Sequence, residues 1–215
     1  MKIINTVKSE IQNITMELVR CGLAMEYNFP VINGNDIIWT KYSDISCYLK
    51  NNKYAEIYKE IDEKNNYNFK MPDGGIFQLM YRFDNKSIIS HRLAFYPSAD
   101  YEIFQNDPSR YEEDFIYGDI LNRSVLPVII RADYNKGDVD SNVHHPYSHI
   151  TLGEYKNCRI PVNMPITPLK FVNFILEHFY SIPSVSFGYD FNSKQQVKFD
   201  EHIHINDVHR SRFQF

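Results

Sequence analysis

A chain of 215 residues that is 43% hydrophobic and 15% aromatic has enough apolar mass for a sizeable core, which excludes an intrinsically disordered protein. Its net charge of −4 excludes tight, non-specific binding along a phosphate backbone, which needs many Lys and Arg on one face, but leaves room for a local basic patch. The cysteines, Cys21, Cys47 and Cys158, are odd in number and form no C-x-x-C, which speaks against a disulfide framework or a cysteine zinc site and predicts a reducing compartment, the cytoplasm.

The first residues are interrupted by polar side chains every two or three positions, unlike a signal peptide. No apolar run reaches the roughly 18 residues of a membrane span. Residues 2–27 read as an amphipathic helix, with Ile3, Ile4, Val7, Ile11, Ile14, Leu18 and Leu23 at helical spacing and a stop at Asn28-Phe29-Pro30. Its apolar stripe is expected to pack on the chain's own sheet. Asn33-Gly34-Asn35-Asp36 predicts a turn, Ile37 to Thr40 a short strand, and Asp44 to Asn66 one or two helical pieces. The glycine pair in Met71-Pro72-Asp73-Gly74-Gly75 marks a turn and is not a phosphate loop, since no Lys-Ser/Thr follows.

Ile76–Asp84 and Ser87–Tyr96 alternate as strands and, joined by Asn85-Lys86, predict a hairpin. Phe77, Leu79, Tyr81 and Phe83 share one face, opposite Gln78, Met80, Arg82 and Asp84; His91 falls with Ile89, Leu93 and Phe95. Residues 97 to about 121 read as helical or irregular. Val125–Tyr134, Tyr147–Leu152 and Cys158–Met164 read as strands, separated by a polar loop and by a turn at Gly153. Thr167 caps a helix with Pro168 at its first position and Phe171, Phe174, Ile175 and Phe179 as its stripe, and Pro183 ends the region. Val197–Ile205 reads as a last strand and the remainder as a tail or short helix. Closely spaced strands pair antiparallel, so the expected class is α+β: one antiparallel sheet of about five to seven strands with packed helices, in a single domain over residues 1–215.

The run His145-Pro146 to His149-Ile150-Thr151-Leu152-Gly153, then Cys158-Arg159-Ile160-Pro161-Val162, Pro165, Pro168 and Phe179-Tyr180, resembles the bacterial family of unknown function DUF2290. His91-Arg92-Leu93-Ala94-Phe95-Tyr96-Pro97 resembles the same family, so the likeness spans most of the chain. The resemblance implies a bacterial origin and a mobile or defence-associated setting; it implies no activity, ligand or cofactor.

Ionisable groups and strand pattern are most concentrated between Val125 and Met164, where a site is expected. His149-Ile150-Thr151 puts an imidazole and a hydroxyl on one strand face, as in two-histidine phosphoesterases. The second pair is the point of departure: His91-Arg92-Leu93 lacks the hydroxyl, and His202-Ile203-His204 has histidine in its place. A metal reading draws on His144, His145 and His149 with Asp133, Asp138 and Asp140, but on an extended strand His145 and His149 lie about 13 Å apart, too far for one ion. The loop from Asp133 to Asp140 departs from the calcium pattern in its glycine position and lacks the final Glu. The metal and cofactor therefore stay open.

Arg82, Arg92, Arg131 and Arg159 all fall on predicted strands, where five guanidinium donors need acceptors. Asp84 and Asp133 can supply them internally; alternatively the arginines and tyrosines line a groove for phosphate or single-stranded nucleic acid. The leading expectation is a polar site for a phosphate-bearing ligand, nucleic acid or nucleotide. Arg131, Arg159 and Arg82 contact the anion, Asp133 orients, His149 and Thr151 do any acid–base work, and His91 is a further catalytic candidate. The competing expectations are a metal-dependent or two-histidine phosphoesterase, and a non-catalytic subunit docking on a protein partner encoded nearby through its first helix or aromatic surface. The histidine-rich end with His202, His204 and His209, and Cys158 beside Arg159, are weaker candidates.

Overall fold

The computed structural model describes residues 3–44, 52–84, 87–99, 109, 114, 117–119, 128–137, 145–155, 157–192, 197–203 and 208–215. The Asn85-Lys86 joint, Cys47, most of 100–127, Asp138, Asp140, His144 and His204 lie outside the described residues. The α+β class holds: helices pack on an open antiparallel sheet of nine strands, seven of them in one continuous order, and the count exceeds five to seven because several strands are only two residues long.

Helix α1 spans Ile3–Arg20, shorter than the predicted 2–27. Its stop is Gly22, not Asn28-Phe29-Pro30. Gly22 takes a left-handed φ of +76°, and the Leu23 N–H donates to the Leu18 carbonyl while the Gly22 N–H donates to Val19. These paired bonds satisfy the last carbonyls, a glycine termination that L side chains resist. The chain then forms β1 (Glu26–Tyr27) and a hairpin of β2 (Pro30–Asn33) and β3 (Asp36–Trp39), turning at Gly34 with φ +59°. Helix α2 (Tyr54–Glu63) falls inside the predicted helical stretch.

Strands β4 (Phe69–Lys70), β5 (Ile76–Phe83) and β6 (Ile88–Tyr96) follow, with β5 and β6 paired antiparallel as expected and a register shift at Arg82/Phe83. Strands β7 (Ile130–Asn135), β8 (Ser148–Leu152) and β9 (Ile160–Pro161) complete the sheet. Thr167 caps α3 (Pro168–Phe179) by accepting from the Lys170 N–H at 3.3 Å, as predicted. Pro183 does not end the region, because it lies in the first turn of α4 (Ser181–Ser186), where a missing N–H costs nothing. Residues 197–203 form no strand; the tail instead returns to the sheet through a single parallel bridge, Val162 to Phe213.

The two faces of the sheet differ. One carries Phe77, Leu79, Tyr81, Phe83, Leu93 and Ala132, all essentially fully buried against Val7, Ile11, Ile14 and Leu18 of α1 and Phe171, Val172, Ile175 and Leu176 of α3. On the other, Ile57, Tyr58 and Ile61 of α2 cover only one end, packing on Ile76, Ala94, Tyr96 and Ile129. The uncovered part of that second face is polar. Among the described residues, no helix is long and apolar enough to cross a membrane.

One buried charged group ties the first layer together. Glu10 of α1 is 3% exposed, and its carboxyl oxygens accept the Leu169 N–H at the start of α3 (3.3 Å) and the Val197 N–H of the C-terminal segment (3.0 Å). Glu10→Ala orphans both donors and is expected to lower stability by about 2–4 kcal/mol, whereas Glu10→Gln, which keeps an acceptor, loses less; urea unfolding of the two variants checks this order.

Candidate functional site

The uncovered part of the second face is a hollow of about 500 Å³. Antiparallel register determines what meets there. In one row across the sheet, His149 stands opposite Asp133 and Asp133 opposite Arg92, which faces Met80. In the next row Thr151 faces Arg131, which faces Ala94; on the other side Arg82 faces both Ser90 and Asp36. Arg159 lies one residue beyond the β8–β9 ladder, in line with Thr151, and lines the same hollow. Six of the seven expected site residues, Arg82, Arg131, Asp133, His149, Thr151 and Arg159, therefore come together.

Of the two acids the sequence offers as internal partners, Asp133 meets an arginine and Asp84 does not. Arg82 donates to both carboxylate oxygens of Asp36, at 2.7 and 2.9 Å, and Asp84 instead closes the turn to Ser87 by accepting its N–H at 2.7 Å. Asp133 sits 3.5 Å from the Nε of Arg92 rather than pairing with Arg131. The reason is geometric: Arg131 and Asp133 are neighbours along one strand face, about 7 Å apart, while Arg92 is directly across. Among the described residues the Arg131 guanidinium makes no hydrogen bond or ion pair. The Tyr96 hydroxyl, buried and without a hydrogen-bond partner among them, lies within electrostatic range of Arg131 and Arg92; burial pushes it up to about 12.

His149 is 6% exposed. Its Nδ1 faces the Pro146 carbonyl at 3.2 Å, and a carbonyl only accepts, so Nδ1 carries the proton and Nε2 the lone pair. Burial lowers its pKa, against the pull of Asp133, so the ring is neutral at neutral pH. It is a hydrogen-bond acceptor or base, not a cationic anion contact. His145 approaches it closely: the ring centroids are 5.0 Å apart, not the 13 Å of an extended strand, because β8 begins only at Ser148 and the chain bends at Tyr147. Even so, no cluster of three His, Cys, Asp or Glu side chains suited to a metal ion occurs among the described residues.

His91 borders the hollow, but its ring does not face into it. Its ring lies on the opposite, α1/α3 side of the sheet, 5.6 Å from the Tyr81 ring. Nδ1 donates to the Ala132 carbonyl at 3.1 Å and Nε2 accepts the Ile166 N–H at 3.0 Å, so both nitrogens are occupied in one neutral tautomer. His202 also stays apart. It stacks on Tyr147 at 4.6 Å, bonds the Tyr134 hydroxyl at 2.8 Å and lines a second cavity of about 260 Å³. Among the described residues, then, no second histidine pair faces His149 and Thr151 as a two-histidine phosphoesterase requires. Cys158 lines the hollow with its Sγ accepting the Leu152 N–H at 3.4 Å.

Sequence reasoning missed Asp36, Tyr42 and Tyr155, which also line the hollow, and named Arg92 among the strand arginines without placing it in the leading site. Arg92 was within reach: alternation places it opposite His91, on the face of Arg82. Asp36 depends on a pairing of β3 with β5 across more than forty residues.

The family model described as "Uncharacterized conserved protein (DUF2290)" matches residues 23–215. No curated protein and no solved structure matches the chain.

His91 makes a pH prediction. Burial lowers its pKa from 6.5 to about 4, so between those values the unfolded chain binds a proton that the folded chain does not. Stability is full above about pH 6.5 and declines as the pH falls toward 4, by about 3 kcal/mol. Urea unfolding across this range is expected to show a smaller acid loss in His91→Gln than in the wild type.

Proposed function

We propose that this chain, which belongs to the DUF2290 family of uncharacterised conserved proteins, binds a phosphate-bearing ligand, a nucleotide or nucleic acid, in the hollow on the second face of its sheet. One observation carries the reading: four arginines gather in a single hollow of a protein whose net charge is −4, and one of them, Arg131, has no acid partner among the described residues. A half-buried guanidinium left without a carboxylate is costly unless a ligand supplies one, and its forked donors match phosphate oxygens.

The roles follow from position. Arg131 and Arg159 contact the anion. Asp133 holds Arg92 in place and, facing His149, keeps that neutral ring's partners ordered. His149 accepts a hydrogen bond through Nε2, and the Thr151 hydroxyl stands beside Arg131 for a phosphate or sugar oxygen. The loose 3.5 Å contact between Arg92 and Asp133 makes Asp133 a built-in competitor with the ligand for the guanidinium.

Calorimetric titration with ADP and with inorganic pyrophosphate tests this. Arg131→Ala is expected to weaken binding at least about tenfold, the loss of a charge-assisted hydrogen bond. Asp133→Asn, which removes the competing carboxylate, is expected to strengthen it a few-fold. Unchanged affinity in both variants would remove the hollow as the binding place.

A further inference from the structure

The arginines of the hollow stand in a line, and the line has a length. Arg82 on β5 faces Ser90 on β6; Arg92 is two residues further along β6; Arg131 on β7 faces Ala94, two residues further again in the same direction. Arg159 continues that row past Thr151 on β8. With strands about 4.8 Å apart and a rise of about 3.4 Å per residue, the Cα steps are about 8, 8 and 10 Å; the path turns once, at Arg131, and spans about 23 Å diagonally from end to end. Tyrosines mark both ends. Tyr42 lies in electrostatic range of Arg82 and Arg92, while Tyr155, 78% exposed, stands on the rim near Arg159.

We infer that the hollow binds single-stranded nucleic acid, about four nucleotides laid along the Arg82–Arg92–Arg131–Arg159 diagonal, with bases stacking on Tyr42 and Tyr155 at its ends. This rests on the phosphate reading above and narrows it. In a stacked strand one backbone advances only about 3.4 Å along the axis per nucleotide, so four successive phosphates reach about 10 Å, less than half of the roughly 23 Å span, and only a drawn-out, unstacked strand sets four phosphates along the four arginines. Drawing the strand out exposes base faces, and exposed tyrosine rings give them a surface to stack on. A duplex keeps its bases stacked inside and gains nothing from the tyrosines. A single free nucleotide reaches one end of the line and leaves Arg82 or Arg159 without a role. The acids along the line, Asp36 on Arg82 and Asp133 beside Arg92, offset part of its charge, so the binding is short in footprint and modest in salt dependence rather than that of a basic protein coating a strand.

Fluorescence anisotropy decides it, using labelled oligothymidylates of two, four and eight nucleotides, the eight-nucleotide strand as a duplex, and ADP and pyrophosphate as competitors. Affinity is expected to rise at least tenfold from two to four nucleotides and then level off, with the duplex weaker. At about 0.7 per phosphate, the logarithmic salt slope for the tetranucleotide should be about −2 to −3. Arg82→Gln and Tyr155→Ala change exposed side chains at opposite ends, so both fold; each is expected to lower tetranucleotide affinity about tenfold with an unchanged unfolding midpoint. If the dinucleotide or ADP binds as tightly as the tetranucleotide and Arg82→Gln is silent, the diagonal is overturned and the phosphate reading stands. If the duplex binds as well as the strand, the inference also fails. If neither oligonucleotides, ADP nor pyrophosphate bind, both readings fall together.

Discussion

Everything in this protein depends on how unevenly the two faces of one antiparallel sheet are covered. Strict alternation along β5, β6 and β7 sends phenylalanine, leucine and tyrosine to one side and arginine, aspartate and serine to the other. The apolar side is sealed by α1 and α3. The polar side is covered by α2 only where its residues turn apolar, at Ile76, Ala94, Tyr96 and Ile129. A third layer over the rest would have to desolvate four guanidinium groups, a penalty far larger than any packing it could gain. The hollow is thus what remains when the helix covers the apolar end and stops.

Within the hollow, charge is arranged by register rather than by sequence neighbours. Arg92 and Asp133 meet because they are opposite each other on adjacent strands, and Asp36 reaches Arg82 because β3 pairs with the far end of β5. Arg131, opposite alanine and threonine, meets no acid among the described residues. The same registry sets His149 beside Asp133 while its Nδ1 is spent on the Pro146 carbonyl. The hollow therefore gathers guanidinium groups placed by strand register beside one neutral imidazole whose Nε2 is an acceptor.

The histidines show how far local pattern reaches. His91 and His149 both lie on strands and look equally promising as side chains. One residue of phase separates their fates. His91 falls in step with Leu93 and Phe95 and is buried on the apolar side, where two backbone groups saturate it. His149 falls in step with Thr151 and faces the hollow. The phase of His91 was readable from its neighbours; that its two nitrogens find the Ala132 carbonyl and the Ile166 N–H was not, since the second partner lies beyond three further strands.

The sequence alone determined what short-range rules govern: the α+β class, the hairpin faces of β5 and β6, the Thr167-Pro168 start of α3, and the concentration of arginine and histidine on the middle strands. Its misreadings were local too, as with Gly22, whose left-handed turn ends α1 before the proline does. Only the tertiary structure decided which guanidinium keeps a carboxylate, which is left open, and that the arginines form one line. Those outcomes depend on the pairing of strands far apart in the chain and on where α2 stops covering them, and neither is written in the period of any single segment.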